Sequence, residues 1–258
     1  MRTFAIVNRK GGVGKTTTAI NLAYVLATSC RLRVLLVDAD GQANATQILL
    51  PSGAYDGLGS LLRGYAAGVE DLLIPTDVEG LDVLPASDDL WALDLEKNKA
   101  ALRYSALMQL REVLEEVDRY DVMIVDCPPN LSVACTAAIL ASDAVVIPVL
   151  SDACSAVGVA DLVDQIESLE YIRPGIRVAG VLVTQWRRSS IGEDAVQTLR
   201  EESPVPIFRT VIRRTDKVVE SSWSREPVGA LSPFSAASRD YRTWVAELLE
   251  REGVANNA

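Results

Sequence analysis

The sequence predicts an α/β fold: a doubly wound, mostly parallel sheet of about seven to eight strands flanked by helices. Three observations predict it. Short, almost continuous apolar runs recur along the chain, as strands buried on both faces do. Helical patterns lie between them, which is what crossovers between parallel strands require. Of the 258 residues, 49% are hydrophobic and only 5% aromatic, enough for a large aliphatic core.

In chain order, strands are predicted at 3–8 (TFAIVN), 33–38 (RVLLVD), 81–85 (LDVLP), 121–126 (DVMIVD), 144–149 (AVVIPV) and 177–183 (RVAGVLV). A weaker one lies at 205–208 (VPIF). All are rich in Val, Ile and Leu. Helices are predicted at 15–28, 100–118, 131–141, 156–169, 191–201 and 235–252. The stretch 50–75, with its Gly and Ser, reads as a loop with a short-helix excursion, and 253–258 as a frayed tail. There is no internal repeat or linker, so one domain over 1–258 is expected.

No run approaches the ~18 apolar residues of a membrane span, and the N-terminus lacks a signal-peptide pattern. A cytoplasmic location is expected. The four cysteines form no CxxC pair and read as buried small hydrophobes. Histidine is absent, which excludes His-based triads and His-ligated metals. A net charge of −10 argues globally against nucleic acid, although the distribution is uneven.

The first strand runs into NRKGGVGKTTTAINLA, residues 8–23. A turn needs one or two glycines; this loop has three, with two lysines. The strict phosphate-loop pattern G-x-x-x-x-G-K-[ST] fails at one position, where Arg9 replaces glycine. The rest fits a polyphosphate. Gly11, Gly12, Val13 and Gly14 turn backbone N–H groups toward an anion, and the helix that follows adds its positive N-terminus. Lys15 is placed to reach the β- and γ-phosphates, Thr16 to meet Mg²⁺, and Thr17 to bond near the α-phosphate.

Two further apolar runs end in carboxylates. VLLVDADGQANAT carries Asp38 and Asp40, and VMIVDCPPN carries Asp126 ahead of Pro128 and Pro129. In doubly wound sheets ligands bind beyond the carboxyl ends of the strands. Asp126 there reads as the group that holds Mg²⁺, usually through water.

KGGVGKTT resembles the deviant Walker A box of the ParA/MinD group of P-loop ATPases, and the longer form resembles the ParA (Soj-like) branch. The later segments DADGQAN and DCPP match the same family, with departures at Gly41, where proline is usual, and Ala43, where glycine is usual. The resemblance implies an ATP/ADP- and Mg²⁺-dependent ATPase with a slow intrinsic rate. It implies an ATP-bound homodimer in which Lys10 reaches the partner's phosphates. Asp40 is then expected to orient the attacking water and Asp38 to support the Mg²⁺ shell.

From Tyr171 to Arg225 there are ten basic and six acidic residues, a local positive excess in an acidic chain. The pairs Arg187-Arg188 and Arg213-Arg214 stand out. The resemblance implies that this region, with Lys217, binds DNA without sequence preference and that a ParB-like adaptor resets the cycle at the nucleoid. It also implies adenine contacts around Thr184, Ile212 and Arg213, although Arg213 stands where the family has proline. The first strand is read from Thr3, so the helix-turn-helix domain that some relatives carry ahead of the ATPase is not expected. The alternative from the same group is a MinD-like membrane-cycling ATPase. The C-terminal WVAELLEREGVANNA, with three Glu and one Arg, disfavours an anionic membrane. Cluster carriers need cysteines that are not suitably placed here, and a tyrosine kinase needs a tyrosine-rich tail.

Overall fold

The computed structural model describes residues 1–65, 68–95, 117, 119–152 and 155–254. Its strands are β1 (Arg2–Ile6), β2 (Val34–Asp38), β3 (Ile74–Pro75), β4 (Leu81–Leu84), β5 (Val122–Asp126), β6 (Ala144–Leu150) and β7 (Arg177–Thr184). They form one sheet in the order β3-β4-β2-β5-β1-β6-β7. All pairings are parallel except β3 on β4.

The described helices are α1 (Lys15–Thr28), α2 (Asn44–Leu49), α3 (Leu58–Leu62), α4 (Asp89–Leu95), α5 (Val133–Ala141), α6 (Ser155–Leu169), α7 (Ser190–Glu202), α8 (Asp216–Ser224), α9 (Val228–Leu231) and α10 (Ala236–Glu252). Alternation along the strands splits the core in two. Phe4 and Ile6 of β1 join the cluster under α1 and α10, whereas Ala5 and Val7 join the one under α5 and α6. The fully buried Trp244 of α10 meets Phe208 edge-on, ring centroids 5.8 Å apart, and anchors that helix.

Three expectations change. Residues 205–208 contribute a single parallel bridge, Val181 to Ile207, instead of a strand. Pro206 has no N–H to extend the ladder; it only accepts from Val181 N–H at 2.9 Å. The seventh strand is β3, inside the stretch read as loop and short helix, where two residues including a proline leave no pattern to read. The predicted helix 100–118 lies outside the described residues except for Val117. Gly253 is the left-handed C-cap of α10 (φ 61°), and Val254 donates to Leu249 O at 3.1 Å and packs on the core. These two residues therefore belong to the helix end; 255–258 lie outside the described residues.

For function the decisive feature is register. Beyond β1 the sheet reverses: β5 and β2 lie on one side, β6 and β7 on the other. Ile6 pairs with Asp126, and Asp126 with Asp38. The loop after β1 and two carboxylates thus emerge side by side at one sheet edge.

Candidate nucleotide-binding site

The loop between β1 and α1 is fastened from below. Asn8 Nδ2 donates to Pro148 O at 2.6 Å, and its Oδ1 accepts from Lys10 N–H at 2.8 Å. The Thr184 hydroxyl is shared between Val13 O (2.7 Å) and Val149 O (3.0 Å), and Gln185 Nε2 donates to Gly12 O at 2.6 Å. Gly12 (φ 74°) and Gly14 (φ 85°) take left-handed conformations open to glycine at little cost. A Cβ at Gly11 or Gly12 would meet nothing within 4 Å, so the space over the loop is open. The first intrahelical bond of α1 runs from Thr18 N–H to Gly14 O, at 2.9 Å. The N–H groups of Lys15, Thr16 and Thr17 therefore have no intrahelical acceptor, an arrangement that suits an anion.

Lys15 is buried, and its ammonium donates to Lys10 O at 3.1 Å. Burial pulls its pKa below the ordinary lysine value; Asp126 and then Asp40 oppose that fall. Asp126 is fully buried, and neither carboxylate oxygen has a hydrogen-bond partner. Burial first, and Asp38 second, hold its carboxyl well above the usual range; the Thr16 hydroxyl, near it but outside hydrogen-bond geometry, and the Lys15 charge draw it down. A bare buried carboxylate of this kind is costly unless a cation meets it. Among the described residues no three His, Cys, Asp or Glu side chains gather to hold a metal unaided. The donor set, one carboxylate and the Thr16 hydroxyl beside a phosphate cradle, fits Mg²⁺ that brings phosphate and water ligands of its own.

Asp38 has other work. Its Oδ2 accepts from Thr46 N–H (2.8 Å) and Oγ1 (2.7 Å), and its Oδ1 accepts from Asp40 N–H at 3.2 Å. Burial still pushes its carboxyl up to about 6. Asp38 thus secures the turn that carries Asp40. Asp40 itself is buried, and its Oδ1 accepts from Gln42 N–H at 2.9 Å.

Ala43, where the family has glycine, sits left-handed at φ 54° as the residue before α2. Alanine pays a steric penalty there. Ala43→Gly is expected to stabilise the fold by ~0.5–1 kcal/mol and to raise Tm by ~2–3 °C in a thermal melt. An unchanged or lower Tm would show that the turn is unstrained.

The remaining predicted residues are placed differently from one another. Thr184 has its hydroxyl committed to the loop, and Ile212 is core. Arg213 is held bidentately by Asp240, with Nη2 to Oδ1 at 2.6 Å and Nε to Oδ2 at 2.8 Å. Thr184 and Ile212 are buried, whereas the Arg213 side chain is partly exposed. Lys217 pairs with Glu220. Trp186 and Arg213 form a parallel bridge, which brings Arg187-Arg188 next to Arg213-Arg214. Arg187 and Arg214 are exposed and have no ion-pair partner among the described residues, and Arg188 lies 3.9 Å from Glu193.

Lys10 forms an exposed ion pair with Asp152, at the end of β6. Asn8 opens the motif quoted above, whereas Asp152 and Gln185, which also bond to this loop, carry no motif; their only sequence signal was their place next to predicted strand ends. Cys30, Cys127 and Cys135 are buried free thiols as expected; Cys154 lies outside the described residues.

Comparison with known proteins agrees with this geometry. A family described as an AAA domain matches residues 1–177. The chromosome partitioning protein ParA of Caulobacter vibrioides is 35% identical over 260 residues, covering 98% of this chain and 95% of that protein. The chromosome-partitioning ATPase Soj of Thermus thermophilus is 36% identical over 253 residues, covering 97% and 96%. Among solved structures, a cobyrinic acid a,c-diamide synthase from Mycobacterium smegmatis with bound ADP and magnesium aligns with TM-score 0.82. It is 27% identical and covers 98% of this chain and 96% of that one. With the phosphate loop, its buried lysine and the paired strand-end carboxylates in place, the chain belongs to the ParA-like ATPase family.

Proposed function

We propose that this protein is a Mg²⁺-dependent ATPase that forms an ATP-sandwich homodimer, binds DNA without sequence preference and drives partition of a chromosome, plasmid or other cargo. A ParB-like adaptor stimulates its slow hydrolysis. The observation that carries the chemistry is Asp126: two buried, unpartnered carboxylate oxygens beside Lys15 and Thr16, at the mouth of a loop shaped for phosphates.

When a nucleotide enters, Lys15 exchanges its bond to Lys10 O for phosphate oxygens, and the N–H groups at the start of α1 take up anionic charge. Thr16 and Asp126 would hold Mg²⁺, which would supply charge neutralisation to the phosphates. Asp40 accepts a hydrogen bond from the attacking water and fixes its direction. The described site contains no strong general base, so turnover is slow. The sandwich is supported by Lys10, which opens with Asn130 and exposed Leu131 onto a cleft of about 550 Å³, with exposed Val157 beside it. In the dimer, Lys10 leaves Asp152 for the partner's phosphates.

The arginines at the exit of β7 support the DNA reading. Because Arg213 and Lys217 have internal partners, the contact falls mainly on Arg187, Arg188 and Arg214. Two such patches on one duplex gain affinity by avidity. Sedimentation with arbitrary duplex DNA should show binding with a non-hydrolysable ATP analogue and none with ADP. Light scattering should show a dimer only with the analogue. Arg187→Ala/Arg188→Ala should weaken DNA binding ~10-fold or more and flatten the log–log salt slope by ~2 per protomer. Analogue-dependent binding to anionic vesicles without DNA binding would overturn the DNA reading in favour of a membrane cycle.

A further inference from the structure

The departure at Gly41 has a structural counterpart 50 residues later. Trp91 Nε1–H donates to Gly41 O at 3.0 Å. A Cβ at residue 41 would lie 2.8 Å from Trp91 Cε2 and 2.9 Å from Nε1, closer than real contacts allow. The indole therefore occupies the space that any side chain at 41 needs, and proline could not stand there without displacing it. Glycine and tryptophan form a matched pair.

The base of this contact is built. Trp91 rides on α4, whose first residue, Asp89, accepts from Arg63 Nη1 at 2.8 Å and from Ser60 Oγ at 3.0 Å, both on or just after α3. Leu90, next to Trp91, is buried. On the other side, Gly41 lies inside the turn that carries Asp40. That turn is closed by Gln42 N–H to Asp40 Oδ1 (2.9 Å) and Ala43 N–H to Asp40 O (2.8 Å). Asp40, Gly41 and Trp91, with Pro128, Asn130 and Ser132, line a cavity of about 250 Å³ between the two loops that follow β2 and β5. The half-exposed indole is thus spent on the wall of this cavity and on one peptide carbonyl.

We propose that Trp91 is a positioning residue for hydrolysis: its indole N–H holds the Gly41 peptide, and through it the 40–43 turn, so that Asp40 stays aimed into the phosphate site. Gly41 is what makes room for this clamp. The inference rests on the reading above that Asp40 serves hydrolysis.

The test compares Trp91→Phe, Trp91→Ala, Gly41→Ala and the double variant Gly41→Ala/Trp91→Ala with Asp40→Ala as reference. Trp91→Phe keeps the ring and loses only the donor. It should lower kcat ~5–10-fold, the effect of one hydrogen bond on a barrier, with nucleotide affinity and Tm essentially unchanged. In nucleotide-free protein, amide exchange at Gln42 and Ala43 should quicken by a similar factor. Gly41→Ala should lower kcat in the wild-type background and have little further effect once Trp91 is alanine, because the clash is then gone. Wild-type kcat in Trp91→Phe, or additive effects in the double variant, would overturn the proposal. If Asp40→Ala also hydrolyses ATP normally, the underlying assignment of Asp40 fails. If Asp40→Ala is inactive and Trp91→Phe is normal, only the clamp fails.

Discussion

Lys15→Ala is expected to reduce ATP turnover by ~10²–10³-fold, the cost of removing a preorganised charge from a phosphoryl-transfer site. The loss follows from placement. The ammonium is buried at the start of α1, and it bonds only a loop carbonyl that it can give up, Lys10 O. No other lysine or arginine among the described residues has its charge buried beside Asp126. Arginine at this position would be too large for the loop, so Lys15→Arg should fail as well. Phosphate release measured at saturating ATP, with circular dichroism to confirm folding, checks both variants. Turnover within twofold of wild type in Lys15→Ala would remove the phosphate loop from the mechanism.

The second large effect is a trade between stability and activity at Asp126. Folding raises the pKa of both Asp126 and Asp38 above the ordinary carboxyl value, chiefly by burial. A group that binds its proton more tightly when folded stabilises the fold fully below its unfolded pKa. That contribution disappears as pH climbs through the folded pKa. For Asp38 the window runs from 3.8 to about 6, and for Asp126 it extends upward from the same start. Nucleotide-free protein in chelator should therefore lose stability as pH rises across this range. Asp126→Asn removes the charge and keeps the shape. It should raise stability near pH 8 by ~1–3 kcal/mol, the penalty of an unmatched buried polar group, and flatten the pH dependence. The same change should abolish Mg²⁺-dependent hydrolysis, because the cation loses its carboxylate. Denaturant melts at pH 5 and 8, with and without Mg²⁺–ATP, read all of this. A variant as labile as wild type at pH 8 would mean that Asp126 is not the strained charge.

Much of the site was legible because its signals are local. A glycine-rich loop between a strand and a helix, and carboxylates ending apolar runs, can be read from neighbours in sequence. What could not be read depends on which strands lie side by side. Asp38 and Asp126 are register partners only because β5 is inserted between β1 and β2. Asp38 is partnered by Thr46 and Asp40 of its own following segment, whereas the segment after Asp126 brings back no such donor. Thr184 entered only as an adenine contact implied by the resemblance; its hydroxyl bonds to Val13 O and Val149 O arise because β7 lies beside β6, which no local pattern shows. Arg213 looked like a free cation, but α10 returns Asp240 to it from 27 residues away. Trp91 and Gly41 carried no signal alone. Of the pair, only the unusual glycine was visible, as a departure from a family pattern. The short strand β3 escaped for a plainer reason, since a two-residue pairing that includes a proline has no periodicity, and the strand read at 205–208 shrank to one bridge at Ile207.

The exit of β7 ties the two ends of this chemistry together. Thr184 and Gln185 grip the loop that receives phosphate, Trp186 is stitched to Arg213, and Arg187 and Arg188 follow immediately. The support of the loop and the arginine pair are therefore successive segments of one short stretch of chain. A displacement of the cradle would reach those guanidinium groups through just two hydrogen bonds, Thr184 to Val13 O and Gln185 to Gly12 O, and then a few residues of chain.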